Sequence, residues 1–434
     1  MGSTINYRPE YPLARLGDIL VRSRDTVKIQ PDIEYTRLTI RNNYGGIQIR
    51  DKRNGQDIGR KLQYRVKGGQ LLVSKIDISQ GAVGIVPKEL SGAVVTENFW
   101  VYDSVDPKNV KLEYLALVIS TSAFMSMAIE NSNGTTGRLY MREAIFLNQF
   151  VPLPDVSVQN SLARKYNSIE KRCYQMREEA KQKEQELYER LFAELGLNLT
   201  CESLAKGKLH LFNSRELNEW SYDKLKTDAK WASIYYEDVR IGESQESFPM
   251  VKRGVSPHYT DDAGAGMLNQ KCVRWYNLDL NYMKNVTMDS LSKYPREMFT
   301  KRGDLLVNST GDGTIGRSAV VRQQKEIERL FDSHVLLLRV NKDVIDPEYL
   351  CLLFNSRYVQ DQIERLKSAV ATSQTELGVE NLRKVRIVLP PIEKQKSIAK
   401  ELSIMRKRIP GQEVTDNLRN KARQDFEQAI LSEE

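Results

Sequence analysis

The second half of this chain repeats the first half at an offset of about 236 residues. Residues 154–159 correspond to residues 390–395, and the Glu-Tyr-Leu run at 113–115 recurs at 348–350. Solenoid repeats are about 50 residues or shorter, so a period this long indicates two copies of a whole domain. The similarity continues beyond Pro154 and Pro390 into apolar residues at helical spacing, so each copy includes a helix. Such a chain has two similar surfaces and predicts a target with two parts.

Composition narrows the class of protein. The chain has 434 residues, of which 40% are hydrophobic, and its formal net charge is +8 at pH 7. We expect no membrane span and no signal peptide, because no stretch is long and apolar enough. The four cysteines are scattered without a C-x-x-C pair, which predicts a reduced cytoplasmic protein with neither a disulfide framework nor structural zinc. The positive charge is compatible with a polyanionic partner.

The apolar pattern predicts an α+β fold, with two similar mixed α/β domains joined and separated by two long antiparallel helices. We place the first domain at residues 1–154, the central helix at 155–200, the second domain at 201–390 and the C-terminal helix at 391–434. Within the first domain, residues 111–129 have helical spacing and residues 146–153 predict a final strand. The offset grows from 209 at Leu16 and Leu225 to 234 at Gly69 and Gly303, so the second domain contains an early insertion.

Both helices carry an apolar stripe. In residues 156–195 the stripe has heptad spacing and polar flanks, which favours a coiled coil over an ordinary surface helix. Gly196 is expected to end this helix. The C-terminal helix begins in the same way but meets Pro410 and Gly411, where proline removes a helical hydrogen bond, so we expect a kink or break and a second helix from about Val414. The stripe residues are Leu162, Tyr166, Ile169, Cys173, Met176, Leu187, Ile398, Leu402, Met405 and Ile409.

No motif in the sequence completes a catalytic site. Residues 311–316 match G-x-G-x-x-G, but the run at 317–321 is typical of a strand, where a dinucleotide fingerprint needs a helix. Arg317 also stands where a P-loop has its lysine. We therefore predict a strand–turn–strand with glycines at positive φ. The three histidines lack metal-ligand spacing, and residues 389–392 lack the polar and aromatic ends of the amino-methyltransferase tetrapeptide. We expect no catalytic residue and no metal.

Basic and polar residues cluster in loops of both copies. Arg and Lys contact phosphates, and Asn, Gln, Ser and Thr bond to base edges, so these loops are candidate DNA-contacting segments. For any single residue an ordinary solvated loop is the better explanation. Asn42, Asn43 and Gln374 are of the types that recognise adenine. The candidates are Arg41, Asn42, Asn43, Tyr44, Lys52, Arg53, Arg60, Lys252, Arg253, His258, Tyr259, Ser309, Thr310, Thr314, Arg317 and Gln374.

The order of these pieces resembles the specificity (S) subunit of type I restriction-modification enzymes over almost the whole chain. The stretches that carry the resemblance are residues 301–309, the turn at 313–317, and residues 345–350, 371–374 and 388–399. The resemblance implies a non-catalytic subunit with two target-recognition domains. Each domain would recognise one half of a bipartite, asymmetric DNA sequence, and the paired helices would set the gap between the halves. The interruption at Pro410 departs from a continuous second helix and leaves the spacer length open.

In that family the helices also dock two methyltransferase (M) subunits, which bind S-adenosylmethionine and methylate adenine at N6, and a restriction (R) subunit can join. The resemblance therefore implies double-stranded DNA and M subunits as partners, R subunits as optional partners, and no cofactor in this chain. Two alternatives stay open. One is a target-recognition subunit of another DNA-modification or phage-defence system, and the other is a duplicated protein-interaction scaffold without DNA contact.

Overall fold

The computed structural model describes residues 5–42, 45–133, 140–201, 229–256, 258–261, 264–311, 313–369 and 375–432. The chain divides into two compact units. The first comprises Met1–Glu178 together with Pro410–Glu434, and the second comprises Glu179–Ile409. Each unit includes helical residues that the sequence boundaries at 154 and 390 separate from the domains, because the apolar stripes of the helices are buried against them.

The core of the first unit is a four-stranded antiparallel sheet. Its order is Leu20–Arg22, Phe99–Ser104, Leu71–Ser74 and Val83–Ile85. The inner strand Leu71–Ser74 is buried at every position, without alternation, because both of its faces are covered. Leu71 packs with the helices of the unit, whereas Leu72 packs with residues of a second sheet.

That second sheet has five strands and forms the outer layer of the first unit. Its order is Thr26–Lys28, Leu62–Arg65, Val94–Val95, Glu34–Arg41 and Gly46–Asn54. All pairs are antiparallel except Glu34–Arg41 with Val94–Val95. Two further strand pairs complete the unit, Leu13–Arg15 with Phe150–Pro152 and Ser132–Asn133 with Tyr140–Met141. The domain helices are Leu16–Ile19, Leu112–Ile119, Ser122–Glu130 and Glu143–Leu147.

Two predictions for the first domain were wrong in detail. The helix expected over 111–129 is two helices, because the Thr121 side chain accepts a hydrogen bond from the Phe124 N–H at 3.3 Å and begins a new helix there. The strand expected over 146–153 begins only at Phe150. Phe146 and Leu147, the first residues of the predicted strand, instead end the helix Glu143–Leu147. This helix places the fully buried Phe146 against Trp100, with ring centroids 5.4 Å apart.

The second unit has the same central sheet. Its order is Met250–Arg253, Val335–Arg339, Leu305–Asn308 and Ser318–Val320, again antiparallel throughout. The outer layer differs and contains the three-stranded sheet Tyr259–Thr260, Lys284–Val286 and Ala265–Met267. Three strand pairs are Asp238–Arg240 with Arg386–Val388, Leu197–Cys201 with Ala229–Ser233, and Ser368–Ala369 with Thr375–Glu376. The domain helices are Met288–Ser292, Pro347–Asn355, Arg357–Leu366 and Val379–Leu382.

A buried glutamine joins the domain to its helix at the same place in both copies. Gln159 accepts a hydrogen bond from the Lys111 N–H at 3.0 Å and donates to the carbonyls of Asn109 and Pro154 at 2.9 and 2.7 Å. Gln395 forms the matching bonds to the residues at 346, 344 and 390, at 2.9, 2.9 and 2.8 Å. Each glutamine is 1% exposed. The repeat seen in the sequence is therefore a repeat of specific polar contacts as well as of strands.

The long helices lie where the sequence predicts them, except that residues 197–200 of the segment assigned to the central helix belong to the strand Leu197–Cys201. The central helix spans Val156–Leu195, and Gly196 follows with φ of +61°, a backbone conformation that favours glycine. The C-terminal helices are Ile392–Lys407 and Gln412–Ile430, so Pro410 lies in a break between them. No single helix among the described residues is both long and apolar enough to cross a membrane, although one bent pair, Leu112–Ile119 with Ser122–Glu130, passes by length and composition.

In the first unit the central helix pairs with the second C-terminal helix. Lys165 forms an ion pair with Asp425 at 3.2 Å, and Glu170 forms one with Arg419 at 2.6 Å. The partner numbers fall as the numbers along the central helix rise, so this pairing is antiparallel. The apolar residues that the C-terminal helix adds to the core of the first unit are Ala422, Phe426 and Ile430.

In the second unit the end of the central helix pairs with the first C-terminal helix. Arg190 contacts Glu401 at 2.9 Å, and the Lys183 ammonium donates to the Arg408 carbonyl at 3.5 Å, which is again an antiparallel order. The stripe residues Leu187, Ile398 and Leu402 are at most 2% exposed and belong to one core cluster, against which Met405 and Ile409 also pack.

The segment at residues 6–8 is hydrogen-bonded to the segment at residues 430–432. The Arg8 N–H donates to the Ile430 carbonyl at 3.0 Å, and the Ser432 N–H donates to the Asn6 carbonyl at 3.0 Å. Tyr7 forms a β-bridge with Leu431. Both segments belong to the first unit.

Candidate nucleic-acid interface

A β-hairpin at one edge of the five-stranded sheet of the first unit carries several of the candidate residues. We call it the first hairpin, and it consists of Glu34–Arg41 and Gly46–Asn54. The second strand lies at the edge of its sheet, and Gln48, Ile49 and Arg50 are all exposed, so side chains on both faces reach solvent. The register shifts between Arg37 and Leu38, which leaves Arg50 as the extra residue of a bulge. The exposed edge strand can therefore present polar side chains to the major groove of DNA, where base edges are accessible.

Four polar side chains meet at the end of the first hairpin. The Arg41 guanidinium donates to the Gln48 side-chain oxygen at 2.9 Å, and the Asn42 amide donates to the Gln80 side-chain oxygen. Gln80 precedes Gly81, which has φ of +70° in the turn equivalent to the glycine turn of the second copy. The structure thus joins a loop and a turn that the sequence analysis treated separately. Gln48 and Gln80 were not among the predicted candidates, although the repeat pointed to the turn that contains Gln80.

Charge on the first hairpin is mostly positive. Residues 34–54 contain five Arg or Lys and two Glu or Asp. Arg37 binds Asp51 through two hydrogen bonds of 2.6 and 2.5 Å, which lower the pKa of the Asp51 carboxyl, and Arg53 lies 3.3 Å from the same carboxylate. Lys52 is exposed. The hairpin therefore retains a net positive charge after its internal ion pairs form.

The second unit has a glycine turn at residues 309–311 and 313–317. Gly311, Gly313 and Gly316 have φ of +93°, +74° and +82°, and the strand Ser318–Val320 follows. This confirms the predicted strand–turn–strand. Because no helix begins at the last glycine, this turn lacks the helix N-terminus that binds phosphate in a dinucleotide site.

Hydroxyl groups hold the glycine turn in place. The Thr314 hydroxyl donates to the Thr310 carbonyl at 2.8 Å, and the fully buried Ser309 hydroxyl donates to the Leu377 carbonyl at 3.1 Å. The Thr310 hydroxyl lies 2.9 Å from Nδ1 of His334 and donates to the Gln270 side chain at 3.0 Å. Ser309 therefore organises the turn from inside, whereas the exposed His334 reaches solvent beside it.

Two arginines and a tryptophan flank the glycine turn. Trp275 is 41% exposed, and the Arg317 guanidinium lies 5.8 Å from its ring centroid. Burial, followed by repulsion from Arg274, lowers the pKa of Arg317, so an anion between the two arginines would be stabilised electrostatically. An exposed aromatic ring beside cations is also the arrangement that contacts nucleic-acid bases and phosphates. Arg274 and Trp275 were not among the residues predicted from the sequence, because no motif or repeat marks their loop.

The other candidates of the second unit have acidic neighbours. Lys252 pairs with Glu297 at 2.6 Å, and Arg253 pairs with Glu376 and donates to a carbonyl at 2.6 Å. The Tyr259 hydroxyl donates to Asp332 at 3.5 Å, and His258 is exposed. Arg60 of the first unit is likewise paired, with Glu97 at 2.5 Å. Asn43, Tyr44 and Gln374 lie outside the described residues. A DNA contact stays a prediction for every candidate.

The titratable groups of the described residues form no metal site, and the cysteine side chains that the structure describes are buried. Across residues 5–432, leaving out the gaps in the description, no group of three or more His, Cys, Asp or Glu side chains could hold a metal ion. Cys173, Cys272 and Cys351 are buried, and burial raises the pKa of Cys272 and Cys351 to about 11. These thiols are therefore poor nucleophiles at neutral pH.

Comparison with known proteins gives consistent findings. Residues 237–413 match the family described as the type I restriction modification DNA specificity domain. The chain is 27% identical over 172 residues to a putative type I restriction enzyme MjaX specificity subunit of Methanocaldococcus jannaschii, which covers 38% of this chain and 39% of that protein. It is 24% identical over 346 residues to the type I restriction enzyme EcoEI specificity subunit of Escherichia coli, which covers 65% of this chain and 58% of that protein.

These alignments span well under two thirds of either curated relative. Among solved structures, a type I restriction-modification S subunit from M. genitalium matches over 100% of this chain and 98% of that chain. The sequence identity is 12% and the TM-score is 0.51, so this likeness concerns the fold alone.

Proposed function

We propose that this chain, which is related to the specificity subunits of type I restriction-modification enzymes, recognises a bipartite, asymmetric DNA sequence without catalysing a reaction. The relationship predicted from the sequence is confirmed by the family match and by both curated relatives. The observation that carries the proposal is the repeat. Two copies share the four-stranded sheet, its glycine-containing turn and the buried glutamine, but differ in the outer layer, which in the first unit bears the first hairpin. Equal scaffolds with unequal outer layers suit two half-sites of different sequence.

The recognition would use both units in the same general way. Lys and Arg of the first hairpin and the arginines beside the glycine turn would contact phosphates, which makes affinity strongly salt-dependent. Asn42, Gln48 and Gln80 in the first unit, and Gln270 and His334 in the second, would contact base edges, since amides and imidazoles can accept and donate hydrogen bonds there.

The helices would act as the spacer and as the docking site for other subunits. The central helix spans 40 residues and forms antiparallel pairs within each unit, which supports a coiled-coil spacer of fixed length. Two adenine-N6 methyltransferase (M) subunits would dock on these helices, and R subunits would join for cleavage. S-adenosylmethionine would bind to the M subunits.

Mapping methylated adenines in cells that express this chain with its methyltransferase partner tests the proposal. We expect a single asymmetric motif with two specified halves and an unspecified gap. Inserting one heptad into the central helix and one into the C-terminal helix should change the gap and leave both half-sites unchanged. A continuous motif without a gap, or half-sites that change with the helix length, would contradict the proposed division of roles.

A further inference from the structure

A deep cleft in the second unit is lined by none of the candidate DNA-contacting residues. It has a volume of about 480 Å³ and lies between the helix Ile392–Lys407, the start of the helix Pro347–Asn355 and the loop at Tyr276. Cys351 and Leu352 give it an apolar lining on one side. The cleft is therefore concave, with an apolar lining that can accept a side chain.

The opposite wall of the cleft carries a row of cations, which we call the lysine row. Lys396, Lys400 and Lys407 lie on one side of the helix, because steps of four and seven residues return to the same face. The row is about 16 Å long at about 1.5 Å per residue. The Arg406 guanidinium extends it into the cleft and lies 4.6 Å from the Tyr276 ring centroid.

The carboxylates of the cleft already have internal partners. Glu348 accepts two hydrogen bonds of 2.6 Å from Arg322, and the Asp346 carboxylate accepts one of 2.9 Å from the Tyr349 N–H. Lys396 is paired with Glu393 at 2.8 Å. The exposed Lys400 and Lys407 side chains form no ion pair with any residue that the structure describes. The lysine row therefore has positive charge that this unit does not neutralise.

The corresponding helix of the first copy differs in charge. The four cationic positions of the second copy carry a charge of +4, and the positions 236 residues earlier carry +1. Glu170, which replaces Arg406, binds Arg419 instead. The residues at the earlier positions are Asn160, Arg164, Glu170 and Lys171, in place of Lys396, Lys400, Arg406 and Lys407.

We propose that this cleft binds an acidic segment of a partner protein, with its carboxylates along the lysine row and an apolar side chain against Cys351 and Leu352. A DNA duplex fits less well, because it has no flexible apolar side chain to place against Cys351 and Leu352 inside a cleft of about 480 Å³. The first copy lacks most of this positive charge, so each chain would bind one acidic segment. This number would be one even if each copy docked an equivalent subunit. The inference deepens the partner-docking part of the proposed function and is independent of its DNA-recognition part.

The test uses the full chain and two probes, a fluorescein-labelled peptide rich in Glu and Leu and a labelled random-sequence DNA duplex. The variant is Lys400→Glu with Lys407→Glu. The matched control is Arg164→Glu with Lys171→Glu, which makes the same change at the equivalent exposed positions of the first copy. Fluorescence anisotropy of each probe gives the two affinities, and thermal unfolding checks that all chains remain folded.

We expect the variant to bind the peptide at least about tenfold more weakly, with a reduced salt dependence, because two charges are reversed at the site. The control should retain peptide binding, and duplex binding should be the same in all three chains. Absence of peptide binding by the wild type, or equal loss in the control, would overturn the proposal. Loss of duplex binding by the variant with peptide binding retained would also overturn it. Failure of the DNA-recognition proposal would appear separately, as wild-type chain that does not bind any duplex.

Discussion

The outer layer of the first unit is a five-stranded sheet whose edge is the first hairpin, whereas the outer layer of the second unit contains a three-stranded sheet. Beneath both layers the central sheet has the same strand order, and Tyr114 and Tyr349 each donate to a carbonyl of the last domain strand, at 3.0 and 2.8 Å. Buried contacts have thus stayed alike while exposed layers have become different. One scaffold therefore carries two different outer layers, which the proposed function assigns to two different half-sites.

The largest expected effect tests whether a long helix completes the core of each unit. Phe426 is 5% exposed beside Tyr114, and Leu191 is fully buried in the second core. Changing either Phe426→Ala or Leu191→Ala should lower the free energy of unfolding by about 3–5 kcal/mol, because each leaves a cavity. Urea denaturation measures this, with Val414→Ala as an exposed control. A loss below about 1 kcal/mol in one unit would show that the long helices do not contribute equally to the two cores.

The buried glutamines provide the next test of the shared scaffold. Gln159→Ala and Gln395→Ala should each cost about 2–3 kcal/mol of unfolding free energy, because each leaves one N–H and two carbonyls without a partner. The exposed Gln175→Ala is the control. Denaturation followed separately in each unit, by hydrogen exchange of its central sheet, reports the two values. If they differ by more than about 1 kcal/mol, the two contacts are alike in geometry but not in energy.

The outer layers should act independently in recognition. Gln48→Ala should weaken discrimination at one base of one half-site by about tenfold, and Gln270→Ala should do so in the other half only, because an amide pair to a base contributes about 1–3 kcal/mol. Sequencing of methylated sites with each variant measures the preference at every position. A variant that relaxes both half-sites together would refute the assignment of one outer layer to each half.

The smallest effect compares ion pairs between the helices. Glu170 and Arg419 are about one quarter exposed and form three hydrogen bonds of 2.6 to 2.9 Å, whereas Arg190 and Glu401 are about half exposed. A double-mutant cycle should give a coupling of about 1 kcal/mol for the first pair and about 0.3 kcal/mol for the second, which solvent screens more strongly. Equal couplings would show that the pairing of the helices is electrostatically uniform.

Much of the architecture could be predicted from the sequence because it depends on local chemistry. The central helix spans the predicted 156–195, since its stripe and Gly196 are local signals, and the break at Pro410 follows from the missing proline N–H. The glycines of the glycine turn adopt the predicted positive φ because glycine has no Cβ, which is again a local property. The helix break at Thr121 was missed because the apolar spacing continues across it, and only the cap shows the interruption.

The candidate site was harder to predict, because it depends on which loops meet. Nothing in the spacing of Asn42 and Gln80 shows that they are hydrogen-bonded, since they are 38 residues apart in two different turns. In the sequence Ser309 and Arg60 are both polar loop residues. In the structure Ser309 is buried and donates a hydrogen bond to a backbone carbonyl, whereas Arg60 forms an ion pair with Glu97 on the surface. Sequence could name the right loops, whereas the choice of residues required tertiary contacts.

The bonds between residues 6–8 and residues 430–432 have a topological consequence. A short peptide link between these two segments would close the backbone into a ring without disturbing either strand of the bridge. If this ring were cut between the central helix and the second domain, the new chain would begin with the second domain and end with the central helix. The order of domain, helix, domain and helix would be unchanged. The molecule is therefore suited to circular permutation, and its two halves can exchange their places along the gene while the fold stays the same.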